Sequence, residues 1–172
     1  MGSKIKNIGG LQFSIDTSKM VDRHRRIAKE IAPAIARQAV GAAGLELLRM
    51  AMMEPPTVPI YIPDPEKKKT SDHVGGMLRG SASLFVNNEL MHVSSFGIPG
   101  AATRDHVEAL QANRFVAVLG FNTPYAARLH EHPEYNFSEP SAGGKYVEQK
   151  LLSGHDRLLR VIAEHFRQFF GD

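Results

Sequence analysis

The most chemically suggestive stretch of this chain is His130-Glu131-His132, two imidazoles at i and i+2 around a carboxylate. Such a set could hold a metal ion. Its spacing argues otherwise. On a strand the two rings would share a face, on a helix they would diverge, and zinc sites on helices use i and i+4. The residues read as surface or interface groups. His155-Asp156 and His165 fall on one expected helix, ten residues apart, with no marked serine to complete a hydrolytic triad. The chain has no Gly-x-Gly-x-x-Gly, no Walker-type Lys-Ser/Thr motif and no Gly-x-Ser-x-Gly elbow. It has no cysteine, so thiol nucleophiles, disulfides and thiolate metal sites are excluded, which fits a reducing compartment. No catalytic residue, cofactor or metal is expected, and the protein reads as a non-enzyme.

The element that must position His130 and Glu131 runs from Phe115 to Glu131. Phe115 to Phe121 is β-branched and aromatic and predicts a buried strand. Pro124 stops it and suits a helix start. Tyr125 to Leu129 predicts one or two helical turns. Strand, proline break and short helix form a corner.

Around that corner the sequence predicts an α+β fold, in which a long N-terminal helix and a C-terminal helix pack on an antiparallel β-sheet. The 172 residues fit a single domain, 1–172. Residues 1–16 read as an N-terminal arm or strand, with Leu11, Phe13 and Ile15 alternating with polar residues. Lys19 to Met53 predicts helix, with one apolar stripe through Ile27, Ile31, Ile35, Ala39, Ala43 and Leu47. Pro33 predicts a kink or break within it. The small residues from Ala39 to Gly44 allow close approach to the sheet. Met50, Met52 and Met53 read as core filling, and Pro55-Pro56 ends the helix. Met77 to Val86 predicts a strand, Asn87-Asn88 a turn and Glu89 to Ser95 the returning strand of a hairpin. Residues 63–76 and 96–104 read as long loops, and Asp105 to Ala112 as a turn or two of helix. Lys145 to Phe170 predicts a second long helix, with Val147, Leu151, Leu158, Ile162, Phe166 and Phe169 on its apolar side and a bend or restart at Gly154. Its end, with Phe169 and Phe170, is apolar enough to need a partner, on this subunit or a neighbouring one.

The formal net charge is +3 and the pI about 9.3. Basic residues cluster only at Arg23 to Lys29 and Lys67 to Lys69. Both read as solvated surface, with nucleic-acid binding as the alternative. No run of about 18 apolar residues predicts a membrane span, and the first ten residues lack an apolar signal-peptide core.

Three ordered fragments carry a resemblance: Gly76-Met-Leu-Arg-Gly-Ser81; Val118-Leu-Gly-Phe-Asn-Thr-Pro-Tyr-Ala126 running on to His130-Glu131; and Gly144-Lys-Tyr-Val-Glu148. Across about residues 20–170 the chain resembles the minor-capsid, head–tail joining and tail-completion proteins of tailed bacteriophages. That family shows a Gly-x-Leu-Arg-x-Ser strand, a Gly-Phe-x-x-x-Tyr-Ala-x-x-x-His-Glu corner and a Lys-Phe/Tyr-Leu/Val-Glu helix start. The resemblance implies helices on an antiparallel sheet, no catalysis, and a homo-oligomeric ring, commonly a hexamer, in the virion neck. The implied partners are a portal-side adaptor or stopper and the tail tube or tail terminator, with DNA passing through the lumen without specific binding. It implies a protein made in the host bacterial cytoplasm, with no membrane partner. The residues marked as structural or interface candidates are Leu78, Arg79, Tyr125, His130, Glu131, Lys145, Phe169 and Phe170.

Overall fold

The computed structural model describes residues 6–8, 11–13, 18–60, 76–87, 89–94 and 115–171, the first two of these stretches by their backbone alone. The fold is α+β: a long N-terminal helix, a C-terminal helix and a three-stranded antiparallel sheet. The chain divides into two compact units, Met1–Ile35 and Ala36–Asp172.

In the first unit, β1 (Lys6–Ile8) pairs antiparallel with β2 (Leu11–Phe13) in a two-stranded sheet of their own. The strand expected at Leu11 is therefore one arm of a hairpin, while Ile15 lies outside the described residues. Helix α1 (Ser18–Arg26) is exposed throughout. A π-helical turn, Ile27–Ile31, follows it, with the Ala32 amide donating to the Ile27 carbonyl. The disturbance expected at Pro33 takes this form. Pro33 has no N–H for the Lys29 carbonyl and its ring crowds that carbonyl, so the turn before it widens instead of breaking. The apolar stripe is only partly used: Ile31 is exposed and Ile27 half-buried, and burial begins at Ile35. Periodicity marks which face is apolar, and only neighbouring elements decide how far along that face is covered.

The second unit is built on β3 (Ala82–Val86), the middle strand of the order β4-β3-β5. Strand β4 (Glu89–Val93) returns through a turn in which Asn87 takes φ 49°, as the Asn pair predicts. Strand β5 (Ala117–Phe121) pairs on the other side, Leu119 opposite Leu84. Every residue of β3 is buried, whereas those of β5 are only half-buried. This corrects the expectation of a buried strand at Phe115 to Phe121. Apolar sequence cannot distinguish a central strand from an edge one, because complete burial needs neighbours on both sides. Among the described residues β5 has a strand on one side only.

Helix α2 (Ala32–Met53) lies against this sheet through glycines. A Cβ on Gly44 would stand 2.6 Å from Leu84 Cδ1, and one on Gly41 would stand 2.7 Å from Met91 Cε. The small-residue segment thus does what its composition predicts. The C-terminal region is two helices, α5 (Glu148–Ser153) and α6 (His155–Phe170), separated at Gly154. Helix α6 packs on α2: Leu158 joins Ala43 and Met50, with Leu47, Val161 and Ile162 around them. Leu151, expected on the apolar side, is 51% exposed. Met50 is buried, Met52 half-buried and Met53 exposed, so core filling holds for the first of the three methionines and fails for the last.

Because β3 anchors this unit, Leu84→Ala should lower unfolding stability by about 2–5 kcal/mol in denaturant titration. The same change at the exposed Leu152 should stay within about 0.5 kcal/mol.

Candidate functional site

Six of the eight candidates, Leu78, Arg79, Tyr125, His130, Glu131 and Lys145, meet at a junction between the sheet and the helices. Met77 to Gly80 was expected to extend a strand. It is instead a single helical turn, α3 (Met77–Gly80), which opens at Gly76 with φ 87°. The Gly80 amide closes the turn on the Gly76 carbonyl at 2.8 Å, and the Ser81 hydroxyl donates to the Leu78 carbonyl. Left-handed Gly76 reverses the chain, so Met77-Leu-Arg-Gly cannot continue in extended form. The coil places Leu78 and Arg79 on different neighbours.

Leu78 is buried in a cluster with Ala51, Val58, Ala126 and Tyr146, and Tyr125, Leu129, Phe121 and Val147 pack around it. Arg79 turns to polar partners. Its Nε donates to the Val58 carbonyl at 2.7 Å, and its guanidinium also reaches Thr57 Oγ1 at 3.1 Å and Glu139 Oε2 at 2.7 Å. One planar cation thereby ties the strand-like segment after α2 to the 133–144 connection, a task suited to the fixed fork of arginine.

Helix α4 (Ala126–Glu131) follows Pro124, as the sequence predicts. Tyr125 is half-buried and packs against the Leu78 cluster. The larger anchor is Tyr146, 1% exposed, which was not among the candidates. Its ring meets Phe121 edge-on at 5.6 Å and His130 at 4.7 Å, and its hydroxyl donates to the Ala126 carbonyl at 3.3 Å. Burial pushes the Tyr146 phenol well above its ordinary pKa. Its signal in the sequence was its position as the only Phe, Tyr or Trp between Phe137 and Phe166, beside Val147.

Lys145 holds the outer side of the junction. Its backbone takes φ 55° and its amide donates to the His130 carbonyl at 2.7 Å. Its ammonium group pairs with Glu131 at 2.5 Å and Glu148 at 2.9 Å. The hydrogen bond from Lys145 holds the Glu131 carboxyl below the usual carboxylate range. These groups are substantially exposed, so the pairs orient the segment more than they stabilise it. Gly144 is required for fit: a Cβ there would stand 2.6 Å from Pro133 Cα and 2.7 Å from Pro133 N.

His130 and His132 take different partners. His130 lies against Tyr146, while His132 stacks on Tyr135 at 4.8 Å and meets Glu134 at 2.6 Å. Among the described residues no three His, Asp or Glu side chains are grouped as metal ligands. Lys150, also missed by sequence reasoning, is 5% exposed and donates to the Pro55 carbonyl at 2.5 Å. Burial lowers the pKa of its ammonium. A lysine reads as surface in any sequence, and nothing marked this one.

Beside the junction is an apolar cleft of about 350 Å³, lined by Ile60, Met77, Tyr125, Leu129 and Phe137 among others. Arg128 stands at its lip. Its Nε donates to Tyr135 Oη at 3.0 Å, and its guanidinium carbon is 5.7 Å from the centre of that ring. The remaining candidates, Phe169 and Phe170, lie apart from the junction contacts, at the end of α6, 58% and 49% exposed. Of the basic clusters, Arg23 to Lys29 lies on α1 and the π-helical turn, and Lys67 to Lys69 falls outside the described residues. The two long loops, 63–76 and 96–104, and the helix expected from Asp105 to Ala112 also fall outside them, apart from Gly76.

No family model, no curated protein and no solved structure matches this chain.

The junction has a pH signature. Burial lowers the pKa of His130 below 6.5, against a smaller opposing pull from Glu131. The unfolded chain therefore binds this proton more readily than the folded one. Stability from the neutral ring is complete above about pH 6.5 and falls as pH drops toward the folded pKa. Melting temperature should decline between about pH 7 and pH 5, and His130→Phe should flatten that decline. The carboxylates held low by their partners contribute only in the more acidic range.

Proposed function

We propose that this chain is a structural component of the tailed-bacteriophage neck, a non-catalytic building block that assembles with copies of itself into a ring. The ring would meet a portal-side adaptor or stopper on one face and the tail tube or terminator on the other, with DNA passing through. The observation that carries this reading is convergence. The three fragments of the resemblance are far apart in sequence, yet Leu78, Ala126 and Tyr146, one from each, are neighbours in one buried cluster. Glu131 of the second fragment also pairs with Lys145 of the third. These motif residues join helices to a sheet, and their polar groups are engaged, Glu131 with Lys145 and Arg79 with Val58, Thr57 and Glu139. That arrangement suits a part whose work is to keep its shape among neighbours. The exposed aromatic end of α6 adds a surface that calls for a partner. Purified chain mixed with connector and tail-tube proteins of its virion should appear as rings at their ends in negative-stain images. Single subunits in every mixture, together with turnover of a small molecule, would overturn the reading.

Charge placement favours a second reading, a basic nucleic-acid-binding module. Ser18 to Ile31 holds five basic and two acidic residues, a surplus of three that equals the surplus of the entire chain. Arg25 pairs with Asp22 at 3.8 Å and Arg26 with Glu30 at 3.3 Å. Lys19, Arg23 and Lys29 are exposed and have no carboxylate partner among the described residues. If these three meet phosphates, the logarithm of the duplex-DNA affinity should fall with the logarithm of salt at a slope of about −3. A chain that ignores duplex DNA even at low salt removes this reading.

A further inference from the structure

We propose that the aromatic end of α6 docks in the cleft beside Arg128 on a second copy of this chain, a head-to-tail contact; the inference rests on the ring reading above and supplies its interface.

The donor surface is an overrun of the helix. Leu158, Ile162 and Phe169 share one face of α6, at spacings of four and seven residues. Leu158 is buried against α2, yet Phe169 is 58% exposed. Phe170, 49% exposed, stacks on Phe166 with ring centres 6.2 Å apart and planes 13° apart, which forms a firm aromatic knob. Docking would take the part of each ring still exposed, about half, out of water.

The acceptor surface is the cleft. It is concave, about 350 Å³, and walled by aromatic and aliphatic side chains. Phe rings suit those walls. Charge decides in favour of this occupant. Arg128 has Tyr135 as its hydrogen-bond partner and no carboxylate among the described residues. In sequence, Asp172, which lies outside the described residues, stands two residues after Phe170, and its charge is opposite to that of the guanidinium. Knob and cleft are different patches on one subunit, so pairing them is heterologous and repeats from copy to copy, closing into a ring when the rotation allows.

Sedimentation of the full chain at rising concentration tests the contact. Wild-type chain should associate reversibly. Phe169→Ser/Phe170→Ser and Arg128→Glu should each weaken association by about thirtyfold or more, with helix content and melting temperature unchanged because all three positions are exposed. A mixture of those two variants should give one-to-one pairs, since an intact knob meets an intact cleft. Asp172→Lys mixed with Arg128→Glu should associate more tightly than either alone. Three results each overturn the inference: a wild-type chain monomeric at every concentration, association untouched by either variant, or a mixture no tighter than its parts. The last would mean that like faces pair symmetrically. A chain that forms rings on virion proteins without this contact sinks the interface alone. A chain that associates through it yet joins no virion protein sinks the neck reading alone.

Discussion

The burial of Tyr146 is the constraint on which the Ala36–Asp172 unit depends. A phenol with almost no exposed surface needs apolar neighbours around its ring and an acceptor for its hydroxyl. Phe121 and His130 supply edges, Leu78 and Ala126 supply packing, and the Ala126 carbonyl takes the hydroxyl. Those partners come from β5, α3 and α4. The ring can be satisfied only when the end of the sheet, the helical turn before β3 and the corner helix are all in place. The segment that delivers Tyr146 is shaped for it, by a glycine pressed on Pro133 and a lysine in left-handed backbone conformation.

Helix α2 carries the same constraint to the rest of the unit. Its glycines let it lie on β3, while Ala43 and Met50 on another face receive α6. At its C-terminal end, Arg49 and Arg157 share Glu46 and Glu54, with contacts of 2.5 Å to 3.0 Å. These residues are partly exposed, so their electrostatic contribution is small, but their geometry fixes α6 beside α2. Lys150 completes the tie by donating to Pro55 from a buried position. A buried ammonium with a carbonyl partner is tolerated at some cost in desolvation, and it specifies where α5 docks.

The polar groups at the junction are paired with neighbouring residues, and the same unit also carries an aromatic-lined cleft and an exposed aromatic helix end. Burying the Tyr146 ring requires β5, α3 and α4 together.

Much of this was legible in the residues alone. Pro124, Asn87, Gly154 and the small residues of α2 act locally through backbone freedom or size, so their effects on turn, bend and close approach could be read directly. The α+β class followed from periodicity. What needed the tertiary structure was everything set by neighbours. The apolar run at Phe115 to Phe121 became a half-buried strand and the serine-containing β3 became the centre. Strand order is a long-range property, and no local pattern encodes it. Leu78 and Arg79 were found as a pair, but their opposite roles came from a helical turn begun by Gly76. Tyr146 and Lys150 owe their burial to segments distant in sequence. The sequence determined which faces are apolar and where the backbone must turn; the folded chain decided which of those faces are covered, because burial depends on contacts between residues remote along the chain.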